Sequence, residues 1–177
     1  AFIPNPMHVY RVAGVLSGLG LSYDGATEEG EVVGKIFTDQ SVDLSKISGD
    51  IQIVSYLQGY GDTTTDEINA AIQAKPEAFI SVGMATTFFT QQLNAAGIEF
   101  SDIDSFTQSN GEAITNGKLV YLAGKYSSSV GPAFALVLNA INGNVIRDEQ
   151  GNAVSLSQNY QVVTDEATFD EFYKSDN

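Results

Sequence analysis

Apolar residues recur along the chain with two periods. Val9, Val12, Leu16, Leu19 and Tyr23 stand at alternating steps of three and four, which predicts one apolar stripe on a helix from Met7 to Tyr23. Gly14, Gly18 and Gly20 interrupt it, each weakening a helix interior by about 1 kcal/mol relative to Ala. After a polar loop, Asp24 to Gly30, the β-branched run Glu31 to Thr38 has strand length and predicts a core strand. Asp39 to Asp50 is polar and short, and Ile51 to Leu57 predicts a second strand, closed by Gly59 and Gly61. Thr64 and Glu67 have capping-box spacing ahead of Ile68, Ala71 and Ile72, and Pro76 stops that helix. Ala78 to Val82 predicts a strand covered on both faces, and Phe88, Phe89, Gln92, Leu93 and Ala96 predict a helix ending at Gly97.

The second half continues the alternation. A weaker strand is expected around Asp102 to Thr107, a helical turn over Glu112 to Asn116, and a strand over Leu119 to Ala123. Val130, Phe134, Val137, Leu138 and Ile141 share a helix face, with Pro132 at its start and Asn142-Gly143 at its end. Asp148 to Asn152 predicts a hairpin loop between short strands, and Thr164 is the expected cap of a last helix bearing Phe169, Phe172 and Tyr173. Strands alternating with helices predict an α/β fold: a mostly parallel sheet of about five or six strands with helices on both faces. The expected core contains Val33, Ile36, Ile53, Phe79, Ile80, Val82, Phe89, Leu93, Leu122, Phe134, Leu138 and Ile141. No internal repeat or linker divides the 177 residues, so a single lobe spanning 1–177 is expected.

Charge narrows the partners. Eight Lys and Arg stand against 22 Asp and Glu, a formal charge of −14, and the basic residues are scattered singly. Phosphate backbones and anionic lipid require clustered Lys and Arg, so nucleic acid contact is not expected. The chain has no Cys and one histidine, His8, which excludes disulfides, thiol nucleophiles, thiolate metal sites and any site that needs two imidazoles. The longest uncharged stretch, Tyr126 to Ile146, carries three serines, three asparagines and Pro132 and does not suit a membrane span. The first residue is Ala1 rather than Met, so a leader removed before it is an expectation.

Catalytic signatures do not emerge. Neither G-x-S-x-G nor G-x-x-x-x-G-K-[ST] occurs, and Gly14 to Gly18 lies inside the first predicted helix. The acidic groupings Asp62, Asp66 and Glu67, or Asp102 and Asp104, suit solvated caps and turns. Asp165, Glu166, Asp170 and Glu171 occupy the N-terminal half of a helix, where its dipole favours them. No metal, no cofactor and no enzymatic activity are expected.

One stretch is more specific. Glu112-Ala-Ile-Thr-Asn-Gly-Lys-Leu-Val-Tyr-Leu-Ala-Gly-Lys-Tyr-Ser-Ser-Ser-Val-Gly131, with the apolar helix ending Leu-Asn-Ala-Ile-Asn-Gly143, looks like the C-terminal portion of type I periplasmic binding proteins. Lys75 to Val82 with Thr86 to Gly97 resembles that family's P-D-A-I-F strand and following helix, and Gln161-Val-Val-Thr-Asp-Glu resembles its closing segment. The resemblance covers about Gly30 to Tyr173 and is shared with effector domains of sugar-responsive repressors. It implies two α/β lobes joined by hinge strands with a solute between them, of which this chain is mainly the second, the first being missing.

What the resemblance implies is the solute-binding component of an ABC-type importer, an extracytoplasmic protein or surface lipoprotein that engages a permease and captures a sugar, nucleoside or similar molecule. The alternatives are a cytoplasmic regulator's effector domain and a non-catalytic interaction module. Ligands of open α/β sheets sit at the carboxyl ends of strands. The expected ligand-binding positions are therefore Thr38, Asp39, Gln40, Gly83, Met84, Gln108, Asn110, Lys125 and Tyr126. Where the family's sugar binders carry Asn-Asp, this chain has Gly83-Met84, and their Gly-Phe-Asp is Ser105-Phe106-Thr107 here, which shifts the expected solute toward less polar molecules. The helix Val130 to Ile141, deprived of its lobe, is expected to pack on its own domain or to drive self-association.

Overall fold

A computed structural model of the chain describes residues 1–59, 65–125 and 130–176. The first part is a small helical layer. Helix α1, Pro6–Gly18, starts where the Asn5 side chain accepts the Met7 N–H and Pro6 takes the first turn. It ends earlier than the periodicity predicts, because Gly20 turns left-handed (φ +70°) and the Gly20 and Leu21 N–H groups bond back to the Ser17 and Leu16 carbonyls. Tyr23, the last residue of the expected stripe, passes instead into strand β1, Ser22–Tyr23, antiparallel to β2, Ile47–Ser48.

Between β1 and β2 lies helix α2, Glu29–Asp39, where the sequence pattern predicts a strand over Glu31 to Thr38. Val32, Val33 and Ile36 are buried together, a one-face helical spacing that packs against Val9, Val12 and Leu16 of α1. Glu29 and Glu31 in the first turn suit the helix dipole. The β preference of this Val-Val-Ile run is overridden by packing against α1, which needs a helical stripe.

The second part is a sheet that has four strands among the described residues, in the order β3–β4–β5–β6. Strands β3 (Ala78–Phe79), β4 (Glu99–Ser105) and β5 (Leu119–Lys125) run parallel, and β6 (Gln161–Val163) is antiparallel to β5. Among the described residues the sheet is mostly parallel, as expected, but has four strands rather than five or six. Glu31–Thr38 is helical, and Ile51 to Leu57 is extended but pairs with no strand among the described residues. Strand β3 stops at Phe79 because the Ser81 N–H donates to the Ser101 hydroxyl rather than to a ladder carbonyl.

Helices α3 (Thr65–Gln73), α4 (Ala85–Ala96), α5 (Gln108–Asn116) and α7 (Glu166–Asp176) serve this sheet. Thr64, the expected cap of α3, lies outside the described residues. Helix α4 ends at a left-handed Gly97 as the sequence predicts. Helix α5 begins a turn earlier than predicted, at a capping box in which Thr107 and Asn110 exchange bonds. The cap of α7 is Asp165, whose carboxylate accepts the Thr168 N–H, and not Thr164. The hairpin loop at Asp148 to Asn152 is present, closed by one bridge between Arg147 and Ala153.

Leu93, Ala113 and Phe169 from α4, α5 and α7 close over Phe100, Leu122 and Val163 on one face of the sheet. The opposite face leaves Tyr121 and Val162 exposed, so covering helices on both faces, as predicted, are not found among the described residues. Helix α6, Gly131–Ile141, buries no residue. Phe134, Leu138 and Ile141, expected in the core, are exposed, and so is Ile80; Ile53, Phe79, Val82 and Phe89 are half-buried. Val33, Ile36, Leu93 and Leu122 are buried as expected. Among the described residues helix α6 therefore does not pack on its own domain.

Two glycine substitutions test this packing. A Cβ at Gly111 of α5 would collide with the Phe169 ring, which Phe106 and Tyr173 hold in place. Gly111→Ala is expected to destabilise the chain by about 1–3 kcal/mol through overpacking. Gly34 of α2 faces open space, so Gly34→Ala is expected to stabilise by about 0.5–1 kcal/mol. Thermal melts followed by circular dichroism separate the two signs.

Candidate functional site

The sheet's carboxyl end is organised by one buried carboxylate. Asp102 of β4 is 4% exposed and accepts the Ala85 and Thr86 N–H groups at the start of α4 (2.9 and 3.0 Å). It also accepts its neighbour's Ile103 N–H at 2.9 Å and the Asn110 amide of α5 at 3.2 Å. Burial pushes its pKa up, while these donors pull the other way. Asn110 completes the network by donating to the Thr86 hydroxyl and receiving the Thr107 N–H. The expected ligand position Asn110 is therefore a buried strut, and Gln108, two residues earlier, donates to the Glu112 carboxylate on the surface.

The first predicted cluster falls elsewhere. Thr38, Asp39 and Gln40 end a helix and not a strand, so the rule that placed them at a ligand site does not apply. The Thr38 hydroxyl bonds back to the Gly34 carbonyl, and Gln40 is the left-handed cap (φ 54°). Asp39 receives the buried Tyr23 hydroxyl at 2.7 Å and the Lys46 ammonium at 2.6 Å. Those two partners hold its carboxyl below the ordinary range, and burial with the Asp39 bond pushes the Tyr23 phenol up to about 12. This constellation ties α2 to the turn before β2.

Gly83, Met84 and Lys125 lie at the carboxyl end of the sheet. Gly83 and Met84 link β3 to α4, and a Cβ on Gly83 would lie 3.6 Å from the His8 ring. Lys125 ends β5. Tyr126 lies outside the described residues. The sequence pattern misses two residues that join them. Arg11 of α1 donates to the Val82 carbonyl at 3.0 Å and to the Tyr160 hydroxyl at 2.7 Å. The Arg11 Cζ and the Lys125 Nζ lie 5.8 and 5.5 Å from the centroid of the Tyr160 ring. Both cations are placed to interact with its π system. Nothing in the local pattern around Tyr160 marks it, because its partners come from positions 11 and 125.

Two of the chain's eight basic residues thus meet beside one phenol at the carboxyl end of the sheet. Guanidinium, ammonium and hydroxyl together offer donors to carboxylate, hydroxyl or carbonyl oxygens, and the ring offers an apolar face. Next to this cluster, a cavity of about 780 Å³ runs from Gly83 and His8 between α1 and β3. Thr38, Asp39 and Gln40 do not line it. Among the described residues no helix is long and apolar enough to cross a membrane. No family model, curated protein or solved structure matches the chain.

Both carboxylates stabilise the fold, by different routes. Asp102→Ala leaves the Thr86 N–H without its acceptor and removes the stronger of two acceptors from the Ala85 and Ile103 N–H groups, a loss of about 1–3 kcal/mol readable as a drop in the melting temperature. Asp39 has a lowered folded pKa, so its contribution is present above the unfolded value and lost as pH falls through the folded one. Asp39→Asn is expected to lower the urea midpoint at pH 7 and to narrow the difference between the midpoints at pH 7 and pH 3. An unchanged difference would remove Asp39 from the acid response.

Proposed function

We propose that this chain is one α/β lobe of a two-lobed solute-binding protein that captures a small molecule for an ABC-type importer without turning it over. The observation that carries the reading is the convergence of Arg11, Lys125 and Tyr160 with Gly83-Met84 at the carboxyl ends of β3 and β5. That is the edge at which open α/β sheets receive ligands. The resemblance of Glu112 to Gly143 to type I periplasmic binding proteins is what supports reading in a second lobe, a hinge, a permease partner and a site outside the cytoplasm. On this reading the solute lies between lobes, stacked on Tyr160 and held through its oxygens by Lys125 and Arg11. The exposed apolar face of α6 is where the missing lobe or a second copy of the short chain rests.

A single lobe supplies only part of such a site, so weak binding is expected from these 177 residues. Titration with sugars, nucleosides and amino acids, followed by amide chemical shifts, should perturb the backbone around Gly83, Lys125 and Tyr160. Lys125→Ala and Tyr160→Ala should each reduce the affinity roughly tenfold, which corresponds to about 1.4 kcal/mol. Perturbations confined to other surfaces, or affinities indifferent to both substitutions, would remove the cleft from this edge.

A further inference from the structure

The cavity beside the candidate site has two walls of extended chain. One is 76–83, including β3, whose far side is paired with β4. The other is 50–57. In this second wall Ile53 and Ser55 to Leu57 are half-buried while Ile51, Gln52 and Val54 are exposed, so a two-residue alternation holds only over 52–55. Ile53 and Tyr56 rest on the helical core around α1. Yet among the described residues no backbone hydrogen bond joins this segment to β3.

The connection between the walls is that of a parallel pair. Residues 51–57 lead to α3, whose Ile68 and Ala71 are buried, and the chain then returns through Pro76 into β3. Strand, helix and strand in this order set two strands side by side in the same direction, as β3–α4–β4 and β4–α5–β5 already do.

We infer that residues 51–57 form a strap with two positions: the open one seen here, and a closed one in which they pair with the free edge of β3 as a fifth strand, parallel to it, and abolish the cavity. Three physical arguments favour closure. The cavity is open to solvent along Ile51, Val54, Ile80 and Met84, and its apolar lining of Val12, Leu16, Ile53, Phe79 and Phe89 would leave water if the walls met. Backbone groups along an edge strand need partners. A segment tethered on both sides competes for that edge at a higher effective concentration than any free peptide. Because Gly83 and Met84 end the same cavity, the strap's position bears on the backbone beside Arg11 and Lys125. The inference stands independently of the solute reading.

Residue-resolved hydrogen exchange and nuclear Overhauser contacts on the 177-residue chain decide it. Closure predicts that alternate amides within 51–57 and amides within 78–82 exchange roughly tenfold or more slowly than unstructured chain, with Overhauser contacts linking the two segments. Exchange at coil rates across 51–57, while Phe100 and Leu122 remain protected, would overturn it. Protection of 51–57 without contacts to 78–82 would overturn it equally, by showing a different partner.

Discussion

The arrangement of the second half depends on the carboxylate of Asp102. A strand in the middle of a sheet ordinarily presents apolar side chains to the helices that cover it, and Phe100 of β4 does so. Two residues on, Asp102 points to the same side, where it meets the first-turn N–H groups of α4 and the amide of Asn110. Those N–H groups have no partner within their own helix. Asp102 satisfies them from another element, and in doing so sets where α4 begins, how α5 approaches and how the β3–α4 turn is held. Gly83 sits in that turn, its carbonyl receiving the Ile103 N–H, so the backbone of the candidate site is braced by the same strand.

The first half is built differently. Its core comes from helix stripes on α1 and α2, with the buried Tyr23 hydroxyl binding Asp39 and receiving the Asp43 N–H. Arg11 is the bridge between the halves: it leaves α1 to bond Val82 at the end of β3 and Tyr160 just before β6. A polar contact of this kind aligns two cores without merging them, which is consistent with the cavity between them.

The apolar surface left over is concentrated in the last third of the chain. Phe134 and Ile141 on α6, and Tyr121 and Val162 on the free side of the sheet, are all exposed. Helix α6 is apolar around most of its circumference and carries no charge, a composition suited to a helix enclosed by neighbours. Its sequence therefore suits a buried environment that the described residues do not provide.

Local signals determined much of this protein. The start of α1 near Met7, the glycine end of α4, the β5 run and the extent of α6 were legible because glycines and periodicity act within a few residues. So was the α/β class, and so was the placing of Gly83, Met84 and Lys125 at strand ends. Tertiary structure decided the rest. Glu29–Asp39 became a helix because Val32, Val33 and Ile36 meet α1, and with that change Thr38, Asp39 and Gln40 left the sheet altogether. Asn110 became a strut because Asp102, eight residues earlier and on another element, takes its amide. Arg11, Lys125 and Tyr160 are dispersed over nearly the whole chain, and periodicity carries no information at that separation. Only the folded backbone brings their charges to one ring.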